Sequence, residues 1–258
     1  MSDERDDQYI NSIIRAIEIL NLYKNGQTYF GITEISKLLN FHKTTVFRIV
    51  KTLESMGWLI KDEITNQYKL GLELLDVASS VNREYSNRNI IYDEMKKLAQ
   101  EFNENVVLHI YIDYSAMCIE RIEAQNVVKI SSEIGSRTPL YAGASGKLVL
   151  AYQSPEIIKE VINRGFTKYA ENTITDGNVL LENLSLIKKL GYSISFSEID
   201  EGVLCISVPI IDDKGEFLSG LSIVAPTSRM ENKNIEKIKN RLLDATKNIS
   251  AKIRLINN

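Results

Sequence analysis

Apolar positions in the first quarter of the chain recur at helical spacing and then give way to short extended runs. Ile10, Ile13, Ile14, Ile17 and Leu20 mark an amphipathic helix from about Tyr9 to Lys24, ended by Asn25-Gly26. Next, Thr33 is a good helix cap, Ile35, Leu38 and Leu39 form one apolar face, and Asn40 can take the left-handed conformation that stops a helix. The spacing predicts a short helix over Thr33 to Leu39. After the turn Asn40-Phe41-His42, Val46, Ile49, Val50 and Leu53 predict a longer helix, Lys43 to Ser55, with that side buried. Gly57 ends it, and Trp58 to Lys61 and Gln67 to Leu70 read as two strands around the polar tip Asp62 to Asn66. Helix, tight turn, helix and hairpin in unbroken succession predict a winged helix-turn-helix domain over residues 9–70.

The pattern then changes twice. Leu72, Leu75, Ala78 and Val81 continue a helical stripe to about Tyr85, and after a break at Ser86-Asn87 another helix runs from about Asn89 to Asn103. The first is read as a linker helix, residues 71–88. From Asn105 the period is that of strands: Val106 to Ile112, Met117 to Ile122 and Val127 to Ile134, joined by short polar turns. Helices are expected at Gly143 to Tyr152, Pro155 to Arg164 and Val179 to Leu190, and strands return at Tyr192 to Phe196, Cys205 to Ile211 and Phe217 to Val224. Ile235, Ile238, Leu242, Ala245, Ile249, Ile253 and Ile256 mark a final helix. Residues 89–258 therefore read as an α+β domain whose mixed, largely antiparallel sheet is flanked by helices.

The outward side of the second N-terminal helix carries the chemistry. Thr44, Arg48, Lys51 and Ser55 form a stripe, with Lys43 and Thr45 at the helix start, and all can donate hydrogen bonds. Arg pairs with guanine edges in bidentate fashion, and Lys, Thr and helix amides hold phosphates. Lys61 and Lys69 of the hairpin would flank the DNA backbone. Between Lys37 and Lys51 there are four cations and no acid, in a chain of net charge −3. A local basic patch on an acidic protein, pI near 5.6, excludes a generic polyanion binder and fits a defined contact with double-stranded DNA. Paired helices with surface lysines also occur in proteins that never touch nucleic acid.

Composition narrows the remaining classes. The acidic start Met1 to Gln8 lacks the apolar core of a signal peptide, and no apolar run approaches the ~18 residues needed to cross a bilayer, so a cytoplasmic protein without membrane contact is expected. Two cysteines, Cys118 and Cys205, and two histidines, His42 and His109, are too few and too scattered for a disulfide framework or a metal centre; no metal or cofactor is expected.

A ligand has two candidate landing places. Tyr141-Ala-Gly-Ala-Ser-Gly-Lys147 is a run of small residues leading into an apolar helix, where a carboxylate could meet unpaired amides. The same run could equally serve close packing of a helix on a sheet. It is not a nucleotide phosphate loop, since Tyr141 stands where that loop needs glycine and Leu148 follows the lysine. The second place is Glu201-Gly-Val-Leu-Cys205. Cys205 as a nucleophile, with His109 as its base, would make this half an enzyme, or else a protein-interaction module. A buried cysteine acting as a small hydrophobe and a core or pocket histidine are the plainer readings, and the protein is not expected to be an enzyme.

Taken together, several blocks resemble the IclR family of bacterial transcriptional regulators along nearly the whole chain. They are Ser12 to Leu20, Gly31 to Ser36, Lys43 to Arg48 with Leu53 to Gly57, Tyr68 to Gly71, Pro139 to Lys147, Asn172 to Thr175, Gly202 to Cys205 and Val208 to Asp212. The resemblance implies a C-terminal effector domain of GAF-like fold and a homodimer or homotetramer on a palindromic operator. It also implies an effector pocket lined by Ala144, Ser145, Ser195, Val203, Cys205, Ser222 and Val224, to which the small-residue run adds Gly143 and Gly146 as candidate contacts. Ser195 stands where some acid-binding relatives have Asp, and Val224 where some have Ser. The expected effector is therefore a small organic acid or related metabolite, a carboxylate of the larger or less polar sort, and repression the expected mode.

Overall fold

A computed structural model of the chain describes residues 9–84, 88–124, 132–212, 214–230 and 235–257. It divides into two compact units, residues 1–86 and 87–258.

The first unit holds α1 (Asn11–Leu22), α2 (Ile32–Leu38), α3 (Lys43–Ser55), the antiparallel hairpin β1 (Leu59–Lys61) and β2 (Tyr68–Leu70), and α4 (Glu73–Glu84). Its core is Ile19, Tyr23, Phe30, Ile35, Val46, Val50, Leu59 and Tyr68. Phe30 exchanges both backbone hydrogen bonds with Tyr68, and the Tyr23 hydroxyl donates to the Tyr68 carbonyl at 3.0 Å, tying the turn that follows α1 to the hairpin.

Two expectations for this unit are corrected. Gly31, not Thr33, stands at the start of α2. The chain enters there in extended conformation, and the Glu34 carboxylate reaches back to the Gly31 N–H at 3.4 Å. The Ile10, Ile13, Ile14 and Ile17 stripe of α1 faces outward, each residue at least 40% exposed, whereas Ile19 is fully buried. The helix has apolar residues on two sides. Its core side is set by Tyr23, whose ring packs edge-on against Phe30 at 4.9 Å.

The second unit contains α5 (Arg88–Phe102), β3 (Asn105–Ile112), β4 (Ser115–Ile122), β5 (Arg137–Pro139), α6 (Gly143–Ala151), α7 (Pro155–Asn163) and α8 (Gly177–Leu190). It continues with β6 (Ser193–Phe196), β7 (Val203–Ile211), β8 (Phe217–Pro226), the short α9 (Thr227–Met230) and α10 (Ile235–Asn257). The strands form one sheet in the order β5-β4-β3-β8-β7-β6, antiparallel at every pairing.

Alternation sorts the two faces of that sheet. Leu204, Ile206, Val208 and Ile210 of β7, with Leu221 and Ile223 of β8, pack under α5 and α10. The intervening residues, among them Val107, Cys118, Cys205 and Val224, pack with Ala144 of α6. This second face is small and partly polar, which leaves room for side chains that bond.

Of the strand expected at Val127 to Ile134, residues 127–131 lie outside the described residues. Residues 132–136 are not strand: the Gly135 N–H donates to the Cys118 carbonyl at 2.7 Å in a turn that delivers the chain to β5. α8 starts at Gly177, two residues before the expected Val179, because the Asp176 side chain accepts from the Asn178 and Val179 amides. No helix among the described residues is long and apolar enough to cross a membrane.

Candidate functional site

In the first unit, α3 separates its sides cleanly. Val46 and Val50 are fully buried, while Lys43, Thr44, Arg48, Lys51 and Ser55 are exposed and Thr45 is half-buried. The turn that presents this side is fixed by Asn40, at φ 53°, and by the Ser36 hydroxyl, which donates to the Phe41 carbonyl at 2.6 Å. Phe47, 49% exposed, lies in the same row and escaped the charge-based reading; its signal was an aromatic residue at the position between Thr44 and Arg48.

Not every predicted donor is free. Lys51 pairs with Glu54 at 2.7 Å, which raises the lysine pKa through that hydrogen bond. The Ser55 hydroxyl donates to the Thr52 carbonyl, so it serves its own helix. On the hairpin, Lys61 meets Glu63 at 3.2 Å, and Lys69 lies over the Tyr29 ring. At the tip, Asp62 accepts from the Ile64 and Thr65 amides, which holds its carboxyl below the usual range. Arg48 is exposed.

In the second unit a cavity of about 50 Å³ lies between α6, the sheet and the loop after β6. Gly143, Ala144 and Ser145 form one wall, and Ser195, Val203, Cys205 and Val224 another. Ser222 is set behind, bonded to Ser145 Oγ at 3.0 Å and donating to Ser207 Oγ at 2.7 Å. Gly146 is not on the wall. A Cβ there would sit 2.2 Å from the Pro139 carbonyl oxygen, so its smallness serves close packing.

The start of α6 is occupied by the chain itself. Glu198 accepts from the Gly143 N–H at 2.9 Å with one oxygen and from Lys147 Nζ at 2.5 Å with the other, and both side chains are buried. Ser195 Oγ accepts from the Ala144 N–H at 2.8 Å. Gly143 adopts φ 72°, which aims its amide at Glu198. Thr173 in turn donates to the Glu198 carbonyl at 2.7 Å. Of the amides expected to await an external carboxylate, that of Gly143 thus holds an internal one and that of Ala144 a serine hydroxyl.

Sequence reasoning missed this pair. Its signal was Lys147 itself, the single charged residue in a helix buried at all nine positions, since a charge so placed requires a partner. Asp200 and Ile199, from the same loop as Glu198, also line the cavity.

Cys205 lies 3.6 Å from Ser145 Oγ, and burial pushes its thiol up to about 11. A thiol so protonated is a poor nucleophile. His109 lines the cavity fully buried, and burial pushes its imidazole down to about 4. Neither of its nitrogens bonds to Cys205 or to any described residue. Among the described residues no group of three or more metal-ligating side chains comes together.

Comparison with known proteins accounts for both units. Residues 12–63 match the IclR helix-turn-helix domain, and residues 86–251 match the bacterial transcriptional regulator IclR C-terminal domain. The transcriptional regulator KdgR of Escherichia coli is 29% identical over 255 residues, covering 97% of this chain and 95% of that protein. KipR of Bacillus subtilis is 30% identical over 243 residues, 94% and 96% of the two chains. The transcriptional repressor AllR of Salmonella typhi is 27% identical over 242 residues, 93% and 89%. Among solved structures, an IclR homolog of Microbacterium hydrocarbonoxydans complexed with 4-hydroxybenzoate shares the fold with a TM-score of 0.87 at 22% identity, covering 95% of this chain and all of that one. Thermotoga maritima IclR gives a TM-score of 0.75 at 26% identity over 95% of this chain and 99% of that one. The chain belongs to the IclR family of bacterial transcriptional regulators, with a DNA-binding helix-turn-helix unit ahead of the family's C-terminal domain.

Proposed function

We propose that the protein is a cytoplasmic, ligand-responsive repressor that binds a palindromic operator as a homodimer or homotetramer. Residues 9–70 read the DNA, 71–88 link, and 89–258 hold the effector. Lys43, Thr44, Thr45, Arg48 and Lys51 contact the duplex, with Lys61 and Lys69 on flanking phosphates. One observation carries this reading: the side of α3 bearing Thr44, Arg48 and Lys51 is exposed from end to end, while Val46 and Val50 opposite are fully buried. A helix packed in this way can enter a major groove without disturbing its own core. AllR, a repressor by name, supports the mode of action.

Self-association is supported by apolar surface that the first unit does not bury. The outward isoleucines of α1, and separately Leu72 and Leu75, are exposed apolar residues of the kind that a second copy covers. A symmetric dimer then sets half-sites about one helical turn apart, roughly 34 Å, or a multiple of that.

The effector is a small organic acid or related metabolite held between α6 and the sheet. Asp200 on the wall opposes a second carboxylate there, and the cation Lys147 is already taken by Glu198, so the uncharged end of the acid enters the cavity. At about 50 Å³ the cavity admits one or two water-sized groups, and a larger ligand requires its walls to part. Such a ligand stabilises the opened form alone, which is what lets binding shift a conformational population.

The test mixes the full chain with fragmented genomic DNA and random competitor. Recovery of a palindromic fragment, with affinity falling steeply as salt rises, is expected. Equal recovery of all fragments at every salt concentration contradicts the proposal.

A further inference from the structure

His109 differs from the other polar side chains around the cavity. It sits on β3, 1% exposed, on the cavity wall, and neither Nδ1 nor Nε2 finds a hydrogen-bond partner among the described residues. Its neighbours are committed: Ser195 to the Ala144 amide, Ser145 to Ser222 and Cys205, and Glu198 to Gly143 and Lys147. Leaving a buried polar group unmet disfavours the folded state, so the residue answers to something other than stability.

The imidazole is neutral in this setting, because burial alone holds its pKa down to about 4. A neutral imidazole offers one N–H donor and one bare nitrogen acceptor. A carboxylate can only accept, so it meets the N–H alone, and it would bring its charge to a wall that already carries the Asp200 carboxylate beside the Lys147–Glu198 pair. A hydroxyl also meets one nitrogen, but it suits the site better: it carries no charge, and it can donate to the bare nitrogen, which a carboxylate cannot do, or accept from the N–H.

We propose that His109 is the effector-recognition residue of this cavity and that it selects an alcohol or phenol hydroxyl on the effector. The inference rests on the reading of the cavity as the effector site. It narrows the ligand from organic acids at large to hydroxy acids, entering with the hydroxyl toward β3.

The chain has two histidines, His42, exposed in the first unit, and His109, so isotope-labelled histidine gives one reporter inside the cavity and one control far along the sequence. Full-length protein is titrated with two probe pairs, 4-hydroxybenzoate against benzoate and lactate against propionate. The hydroxylated member of at least one pair is expected to shift the His109 nitrogen resonances, leave those of His42 unmoved, and bind roughly 10- to 100-fold more tightly than its partner. His109→Leu removes that preference, whereas His109→Gln, which keeps a donor and an acceptor, retains part of it. Thermal unfolding of both variants checks that they fold; among the described residues the wild-type imidazole makes no hydrogen bond for them to lose. Equal affinity within both pairs, or a preference that survives in His109→Leu, overturns the proposal and leaves the cavity as an effector site. No binding by any of the four probes overturns the proposal together with the acidic-effector reading.

Discussion

α3 and α6 each pair a lysine with a glutamate, at 2.7 Å for Lys51 and Glu54 and at 2.5 Å for Lys147 and Glu198, yet the two pairs do opposite work. On α3 the lysine is about half exposed and the pair competes with water and salt. On α6 both side chains are buried, and each is the other's replacement for solvent. The same chemistry is therefore loosely held on the face proposed for DNA and fixed in the wall of the cavity. A surface that must exchange partners keeps its charges solvated; a wall that must hold its shape pairs them internally.

The contrast is broken most directly by cutting each pair. Lys147→Met leaves Glu198 buried without its cation and is expected to cost about 3 to 5 kcal/mol of stability, measured by urea unfolding. Adding Glu198→Gln to Lys147→Met recovers part of that loss, because no uncompensated charge then remains buried. Glu54→Ala, the matching cut on α3, leaves the unfolding midpoint where it was. Equal losses from the two cuts would erase the distinction between the helices.

A smaller effect is set by His109. The unfolded imidazole takes up its proton near pH 6.5 and the folded one only near 4, so the unfolded state binds more protons between these values. Stability attributable to this group falls as pH drops through that window, by up to about 3 kcal/mol at its lower end. Wild-type protein is expected to lose that much more than His109→Leu over the same range in paired urea titrations. Parallel losses in the two proteins would mean that His109 is protonated in the folded state.

The same contrast explains what could be read from residues alone. α3 runs from Lys43 to Ser55 as the spacing of Val46, Val50 and Leu53 predicts, because a helix with one wet side imprints its period on the sequence. α6 has no wet side. All nine of its positions are buried, so its period is silent, and only the small residues and Lys147 mark it. Glu198 and Asp200 come from the loop between β6 and β7, where no repeat signals which side chain turns inward. α1 misled for a different reason: Ile13 and Ile17 on one side and Ile19 and Tyr23 on the other are equally apolar, and the choice between them rests on contacts with Phe30 and with Tyr68, the second of them 45 residues from Tyr23. The alternation Leu204-Cys205-Ile206-Ser207-Val208 does encode the two faces of the sheet, aliphatic toward α5 and α10 and small or polar toward α6.

The account turns on the outward face of α3 reading base sequence, and Arg48→Ala measured on the recovered genomic fragment and on random duplex tests it most directly. The variant is expected to keep wild-type stability, to lose about 1 to 3 kcal/mol of binding to the specific fragment, and to lose much less on random DNA, so that base preference relaxes. Unchanged affinity for both duplexes would contradict the assignment of α3 as the reading helix.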